Sequence, residues 1–172
     1  MKTAKQQIII HRGGGFLAPE NTIYAMETGL TFPVDGIEID VQFTKDDIPI
    51  VYHDNTLRRT TGKRRAVRRM TYDAIKDLDN GSWFDRSLTD IRIDTLDAFL
   101  TAFNRRFTLY VEIKEHGERL LDIPKMIKSF QLQDKVIFLS FHFELLLRIK
   151  EQVSYSEFMY YDYGLNRPFF YV

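Results

Sequence analysis

The stretch that decides the fold is Gly36-Ile37-Glu38-Ile39-Asp40-Val41, in which apolar and acidic side chains alternate. Successive side chains of a β-strand point to opposite faces, so the isoleucines and the valine share one face while Glu38 and Asp40 share the other. The two carboxylates then lie about 7 Å apart along the strand. A divalent cation with oxygen ligands would neutralise their repulsion. A half-exposed strand with an acidic outer face is the simpler interpretation, and this stretch alone does not decide between them.

Length and composition describe one ordinary domain. The chain has 172 residues, 44% hydrophobic and 28% charged, with a formal net charge of zero. A neutral chain argues against a general nucleic-acid binder, which would carry a basic excess. The chain contains no cysteine, which excludes disulfides and thiolate metal sites and fits a reducing compartment, so we expect a cytoplasmic protein. The apolar run Ile8-Ile9-Ile10 is too short for a signal peptide or a membrane span, so we expect no stable membrane insertion.

Two further strands end in histidine. Residues 6–10 predict a short strand that ends at His11, and residues 48–53 predict another that ends at His53. The acidic strand lies between them in the chain. If all three strands run parallel, both histidines and both carboxylates converge on one end of the sheet.

Strands and helices alternate along the chain. Strands are predicted to begin near Gln6, Gly36, Ile48, Leu109, Val136 and Phe158. Apolar spacing of three and four residues predicts helices that begin near Thr22, Thr71, Thr95, Ile123 and Phe143. This alternation indicates a parallel sheet, and strands with one polar face favour a barrel with chemistry at its mouth. A flat doubly wound sheet is the alternative, but Gly13-Gly14-Gly15 lacks the spacing of a dinucleotide-binding loop.

The most basic part of the chain runs from Arg58 to Arg69, where seven of twelve residues are arginine or lysine. A solvated loop is the simpler interpretation of such a run. The functional alternative is an electrostatic funnel for an anionic substrate.

Eight short motifs together carry a resemblance to a known family. They are His11-Arg12-Gly13, Pro19-Glu20-Asn21-Thr22, Glu38-Ile39-Asp40-Val41, Thr44-Lys45-Asp46, His53-Asp54, Leu57-Arg58-Arg59-Thr60-Thr61, Asp94-Thr95-Leu96 and Glu112-Ile113-Lys114. In their order and spacing they resemble the glycerophosphodiester phosphodiesterase family. Two departures stand away from the chemistry: Asp47 replaces a frequent glycine and Asp94 a frequent proline.

The resemblance implies a fold. It implies one phosphodiesterase domain over residues 1–172, a (β/α)8 TIM barrel with a small insertion after the third strand, at about residues 55–93. Only six strands can be identified, so the last two β/α units are expected to be missing from a fragment of a longer protein. Eight aromatic residues fall in the last 18 residues. We expect this aromatic end to be covered by the missing units or by a second copy in a homo-oligomer.

The resemblance also implies a site for a small-molecule substrate. It makes Glu38, Asp40 and Glu112 the ligands of one divalent cation, Ca²⁺ or Mg²⁺. It makes His11 and His53 the catalytic acid–base pair. It places Arg12, Glu20 and Lys114 around the substrate phosphate. The implied reaction is hydrolysis of a glycerophosphodiester to sn-glycerol 3-phosphate and an alcohol, a step in lipid and glycerol metabolism. Attack by water and attack by the substrate's own glycerol hydroxyl both stay open.

Two alternatives remain at this point. A related lipid phosphodiesterase, lysophospholipase D-like or phosphoinositide-specific, would use a similar histidine pair and would show an apolar lip at the barrel mouth. A catalytically inactive barrel fragment that serves as a binding or interaction protein is the second.

Overall fold

The computed structural model describes residues 6–114, 117–153, 157–160 and 170–171. Its α-helices are α1 (Ile23–Gly29), α2 (Arg58–Thr61), α3 (Leu96–Ala102), α4 (Asp122–Ser129) and α5 (Phe143–Gln152). Its strands are β1 (Ile9–Ile10), β2 (Gly36–Phe43), β3 (Pro49–Val51), β4 (Thr108–Ile113), β5 (Val136–Ser140), β6 (Glu157–Tyr160) and β7 (Phe170–Tyr171). Among the described residues, no helix has both the length and the apolar character that crossing a bilayer requires.

Five strands form a parallel sheet in chain order, β1-β2-β4-β5-β6. Helical segments connect consecutive parallel strands, as right-handed crossovers require. This is the strand order of a (β/α)8 barrel. All six strands that the sequence predicts are present at the predicted places.

The third predicted strand runs in the opposite direction to the expectation. β3 pairs antiparallel with β2, with Val51 opposite Val41. Only five residues separate the two strands, and so short a turn can join only antiparallel neighbours. Asp47 forms the turn with a φ of 63°, while the Thr44 hydroxyl bonds the Ile48 carbonyl. The prediction that β3 is parallel is wrong, yet its return path brings His53 back to the level of the acidic side chains.

Both faces of β2 are buried. Its apolar side chains pack beneath α3, α4 and α5 in the main core, together with Phe99, Ile127 and Ile149. The opposite face, which carries the acidic side chains, lies inside the curved sheet and is also buried. The first residue of the strand is Gly36, and a larger residue would not fit there because its Cβ would lie 2.6 Å from the Thr108 carbonyl oxygen of β4.

Residues 55–93 form an excursion with its own small core. Leu57, Val67, Ile75 and Ile93 are fully buried there, next to Tyr52. The helix predicted from Thr71 is wrong: residues 72–78 form bends and turns. Within that segment, Ile75 alone is a fully buried apolar side chain. One buried side chain gives too little apolar contact to stabilise so short a helix.

The carboxyl-terminal end holds a strand that the sequence did not indicate, since β7 pairs antiparallel with β6. The ring of Phe158 on β6 stacks on that of Phe138 on β5, with centroids 5.9 Å apart. Four of the aromatic residues, Tyr155, Tyr161, Tyr163 and Phe169, lie outside the described residues. The expected covering of the aromatic end therefore stays a prediction.

Candidate active site

Register between β2 and β4 brings three carboxylates together. Asp40 lies directly opposite Glu112, and Glu38 is two residues earlier on the same face of β2. One oxygen of each carboxylate lies within 4.8 Å of an oxygen of the other two. All three side chains are buried. The structure thus gathers the predicted metal-ligand set, with Glu112 facing the inside of the sheet.

The loop after β1 clamps Glu38 through its backbone. Arg12 has a φ of 52°, and Gly13 and Gly14 also have positive φ. This left-handed path, which glycine adopts at low cost, turns the Arg12 backbone N–H toward Glu38, where it donates to Oε2 at 2.8 Å. The Arg12 side chain then extends to Glu20, with Nη1 2.9 Å from Oε1. One loop therefore positions an acidic side chain and presents a cation next to it.

Asn21 holds Asp40 from the side. Its Nδ2 donates to Asp40 Oδ2 at 2.8 Å, and its Oδ1 accepts from the Asp40 backbone N–H at 3.0 Å. The residue that follows Asn21 caps α1, since the Thr22 hydroxyl accepts the Ala25 N–H. Asn21, at a φ of 56°, instead orients an acidic side chain.

The donor set fits a divalent cation. Glu38 Oε1 is buried and accepts no hydrogen bond from the described part of the chain, and Lys114 is the cation that pairs with Asp40 Oδ1. Burial, with repulsion from Asp40 and Glu112, raises the pKa of Glu38. Lys114 supplies one positive charge, since its Nζ lies 3.0 Å from Asp40 Oδ1 and 2.9 Å from Glu112 Oε1. Hard oxygen ligands of this kind suit Ca²⁺ or Mg²⁺.

Burial and neighbouring charges shift the pKa values of Lys114 and His11 in opposite directions. Burial alone would lower the pKa of Lys114, but the charges of Asp40 and Glu112 outweigh burial and raise it. Burial and the neighbouring Arg12 cation lower the pKa of His11. The His11 ring lies beside the carboxylates, with Nε2 3.8 Å from Glu38 Oε2.

His53 is oriented by the residue that follows it. Its Nδ1 lies 2.7 Å from Asp54 Oδ1. Hydrogen bonds from Arg59 and His53 outweigh the effect of burial and lower the pKa of Asp54 to about 2. Because the ionised carboxylate can only accept, His53 donates through Nδ1 and leaves Nε2 as the nitrogen available to a reacting group.

Arg59 joins the two sides of the site. Its guanidinium donates to both oxygens of Glu20 and to both oxygens of Asp54. Although burial opposes the shift, Arg59 and Arg12 lower the pKa of Glu20. Glu20, His53 and Asp54 form a second cluster with metal-ligand spacing. Arg59 bonds both carboxylates of that cluster, whereas Glu38 Oε1 of the first cluster accepts no hydrogen bond from the described residues.

Three residues that shape the site received no role from the sequence: Asn21, Asp54 and Arg59. All three stand inside the quoted motifs, so their presence was visible. Their partners lie between 1 and 39 positions away, and residue type alone does not identify such partners.

These features define a class, a (β/α) barrel with carboxylates gathered near the carboxyl ends of its parallel strands. The chain belongs to the glycerophosphoryl diester phosphodiesterase family, whose family model matches residues 11–167. This confirms the family that the motifs indicated.

Individual relatives agree with that assignment. A glycerophosphodiester phosphodiesterase of Caldanaerobacter subterraneus is 35% identical over 173 residues, covering 95% of this chain and 70% of the relative. One from Bacillus altitudinis is 36% identical, covering 79% of this chain and 58% of the relative. The chain therefore spans about 58–70% of the length of these curated relatives.

Solved structures confirm the TIM-barrel fold. A glycerophosphodiester phosphodiesterase from Agrobacterium tumefaciens superposes with a TM-score of 0.82 at 29% identity, over 90% of this chain and 66% of that one. An Oleispira antarctica phosphodiesterase in complex with the product sn-glycerol-3-phosphate gives a TM-score of 0.84 at 28% identity, over 90% and 65% of the two chains.

Proposed function

We propose that this protein hydrolyses glycerophosphodiesters to sn-glycerol 3-phosphate and an alcohol, in a reaction that depends on one divalent cation. The observation that carries the proposal is the cluster of three buried carboxylates, in which Glu38 Oε1 accepts no hydrogen bond from the described residues and Lys114 is the one ammonium group in contact. The cluster lies beside a histidine in a chain of this family. The sn-glycerol-3-phosphate bound to the Oleispira phosphodiesterase supports the same product class.

Glu38, Asp40 and Glu112 would hold the cation. When bound, it would neutralise phosphate charge and lower the barrier to attack by an oxygen nucleophile. The chain supports this by fixing two of the three carboxylates before anything binds. The Arg12 backbone holds Glu38, and Asn21 holds Asp40.

The side chains around the carboxylates would bind phosphate and move protons. Arg12 and Lys114 place positive charge where the non-bridging phosphate oxygens gather. Glu20 keeps the Arg12 guanidinium in place through its 2.9 Å hydrogen bond. His11 and His53 would exchange protons with the attacking hydroxyl and the leaving alcohol, as a base and an acid.

The test measures release of glycerol 3-phosphate from glycerophosphoglycerol by the full chain. With added Ca²⁺ or Mg²⁺ we expect steady turnover, and with a chelator we expect none until the metal is restored. The variant Glu27→Gln removes an exposed carboxylate outside the site and serves as the matched control for Glu38→Gln. No product under any metal condition would contradict the proposal and favour a non-catalytic binding role.

A second candidate is hydrolysis of lysophospholipids, and one observation favours it. Phe16 is 95% exposed and Leu17 43% exposed, directly after the Arg12 loop, where they form a short apolar lip. Such a lip suits the acyl chain of a lipid substrate. If lysophosphatidylethanolamine is the better substrate, Phe16→Ser should lower its kcat/KM and leave that of glycerophosphoethanolamine unchanged. Equal effects on both substrates would remove this candidate.

A further inference from the structure

A cavity of about 510 Å³ opens next to the carboxylates, and Gln42 and Lys114 line its inner end. Gln42 follows Asp40 on the same face of β2, and Lys114 comes directly after the end of β4, where its N–H donates to the Val41 carbonyl. The cavity therefore begins one residue pair, about 7 Å, further toward the carboxyl ends of the strands. A ligand held at the carboxylates would extend into it.

A positively charged side chain forms part of the outer wall of the cavity. Arg68 lines it, together with Asn55 and Thr56. The turn that carries Arg68 is fixed, because buried Val67 donates its N–H to the Asn55 carbonyl and Thr56 pairs with Ala66. No acidic side chain lines the cavity among the described residues, and none of them forms an ion pair with Arg68.

The cavity is poorly suited to a quaternary ammonium group. Such cations are held by open aromatic faces or by carboxylates. Phe43 is the aromatic residue among the described residues that line the cavity. It is buried, and the Arg119 guanidinium already lies 5.5 Å from its ring centroid. The wall thus offers amides, a hydroxyl and an unpaired guanidinium.

A glycerophosphodiester has one constant part and one variable part. The glycerol phosphate is common to every substrate and must lie at the carboxylates. The alcohol on the other side of the phosphate differs between substrates and needs separate room. We propose that this cavity receives the alcohol, and that Arg68 makes the enzyme prefer alcohols that carry their own carboxylate or phosphate over alcohols that carry a quaternary ammonium. This inference rests on the proposed function.

The test compares kcat/KM of the full chain for glycerophosphoserine, glycerophosphoglycerol and glycerophosphocholine. We expect serine over choline by about tenfold, the effect of one complementary charge beside the bound alcohol. Arg68→Gln should bring this ratio close to one, with a smaller loss on glycerophosphoglycerol than on glycerophosphoserine. Arg68→Glu should reverse the preference in favour of choline.

Arg69→Gln is the matched control. Arg69 lies in the same turn and carries the same charge, but it does not line the cavity. Its serine-to-choline ratio should equal that of the wild type. The inference is overturned if wild type shows no preference, or if Arg68→Gln lowers all three values equally, or if Arg69→Gln has the same effect. Absence of turnover on all three diesters would overturn the proposed function itself, and the inference with it.

Discussion

Arg59 Nη2 lies 2.6 Å from Glu20 Oε1, although the two residues are 39 positions apart in the chain. The same guanidinium binds Asp54, the partner of His53, and lies 5.1 Å from the centroid of the Trp83 ring. Glu20 in turn binds Arg12. One arginine therefore connects the loop that carries Arg12 with the hairpin that carries a predicted catalytic histidine.

Replacing Arg59 should impair catalysis, because Arg59 holds Glu20 and Asp54 in position. In Arg59→Ala, Glu20 and Asp54 lose their shared cation, and His53 loses a fixed partner. We expect kcat to fall by about 10²-fold, the cost of a misplaced catalytic group, and the pKa of Asp54 to rise from about 2. The measurement is kcat against pH, where the acid limb of the profile should move to higher pH. Arg59→Lys should restore only part, because an ammonium cannot bridge both carboxylates in the same way.

Arg58→Ala provides the control for this prediction. Arg58 precedes Arg59 in α2, carries the same charge and is exposed. Its removal should leave both kcat and the pH profile at wild-type values. If the two alanine variants behave alike, general surface charge is the cause and the positioning role fails.

Local sequence patterns predicted much of the fold. Alternation within β2 needs no long-range information, because the period of two fixes which side chains share a face. The antiparallel direction of β3 could have been predicted as well, since the turn around Asp46 and Asp47 is too short for a parallel crossover. The helix predicted at Thr71 failed for a different reason, because its apolar spacing was correct but tertiary packing buries too little of it.

The sequence predicted the residues of the site better than the hydrogen bonds that link them. Carboxylates two residues apart on β2 indicated a candidate cation site, and the resemblance to the family added Glu112. The links that run through Arg59 and Asn21 depend on loops with positive φ and on chain segments far apart in sequence. No local pattern encodes such contacts, so only the folded structure reveals them.

Cation binding should stabilise the folded chain through the three carboxylates. A ligand at 100 times its Kd adds about 2.7 kcal/mol to the free energy of unfolding. We expect Ca²⁺ or Mg²⁺ to raise the Tm of the wild type, and this increase to vanish in Glu38→Gln and Asp40→Asn. Calorimetric titration of each variant with the metal alone gives the affinity directly. An unchanged affinity in both variants would place the cation elsewhere.

The histidines should be essential for turnover. Loss of an acid–base group costs roughly 10²–10⁴-fold in rate, so His11→Ala and His53→Ala should each fall within that range. The Kd for the metal should change little in the His53 variant, because His53 bonds Asp54 and stands outside the carboxylate cluster. His142 precedes α5 and matches no motif, so His142→Ala should retain activity. A large loss in that variant would mean that a different histidine pair acts.

The basic loop after α2 should influence the encounter with substrate. Lys63, Arg64 and Arg65 form no ion pair within the part of the chain that the structure describes; Arg64 and Arg65 are exposed and Lys63 is half-buried. Neutralising all three with glutamine should lower kcat/KM at low salt and leave kcat unchanged. The effect should fade toward physiological salt, where the screening length is about 8 Å. A loss that does not depend on salt would contradict steering.

Asp94 should make folding stability depend on pH. Its Oδ2 accepts the Ile23 N–H at the start of α1, 71 positions away. Burial raises its pKa from 3.8 to about 6, so its contribution to the free energy of unfolding is full below pH 3.8 and is lost as pH rises through 6. The shift corresponds to a loss of about 1–3 kcal/mol. Asp94→Asn keeps the acceptor without the charge and should gain stability relative to the wild type between pH 4 and pH 7.

Urea unfolding at several pH values checks this, with the difference between variant and wild type as the quantity compared. That difference removes the titration of groups that do not interact with Asp94. Tyr72, whose pKa burial and the Asp94 charge raise from 10.0, stays protonated over the pH range compared. Asp90→Asn removes an exposed carboxylate nearby in the chain and should show a difference that stays flat with pH. If Asp94→Asn also gives a flat difference, the carboxyl is not desolvated in solution and the N–H of Ile23 has another acceptor.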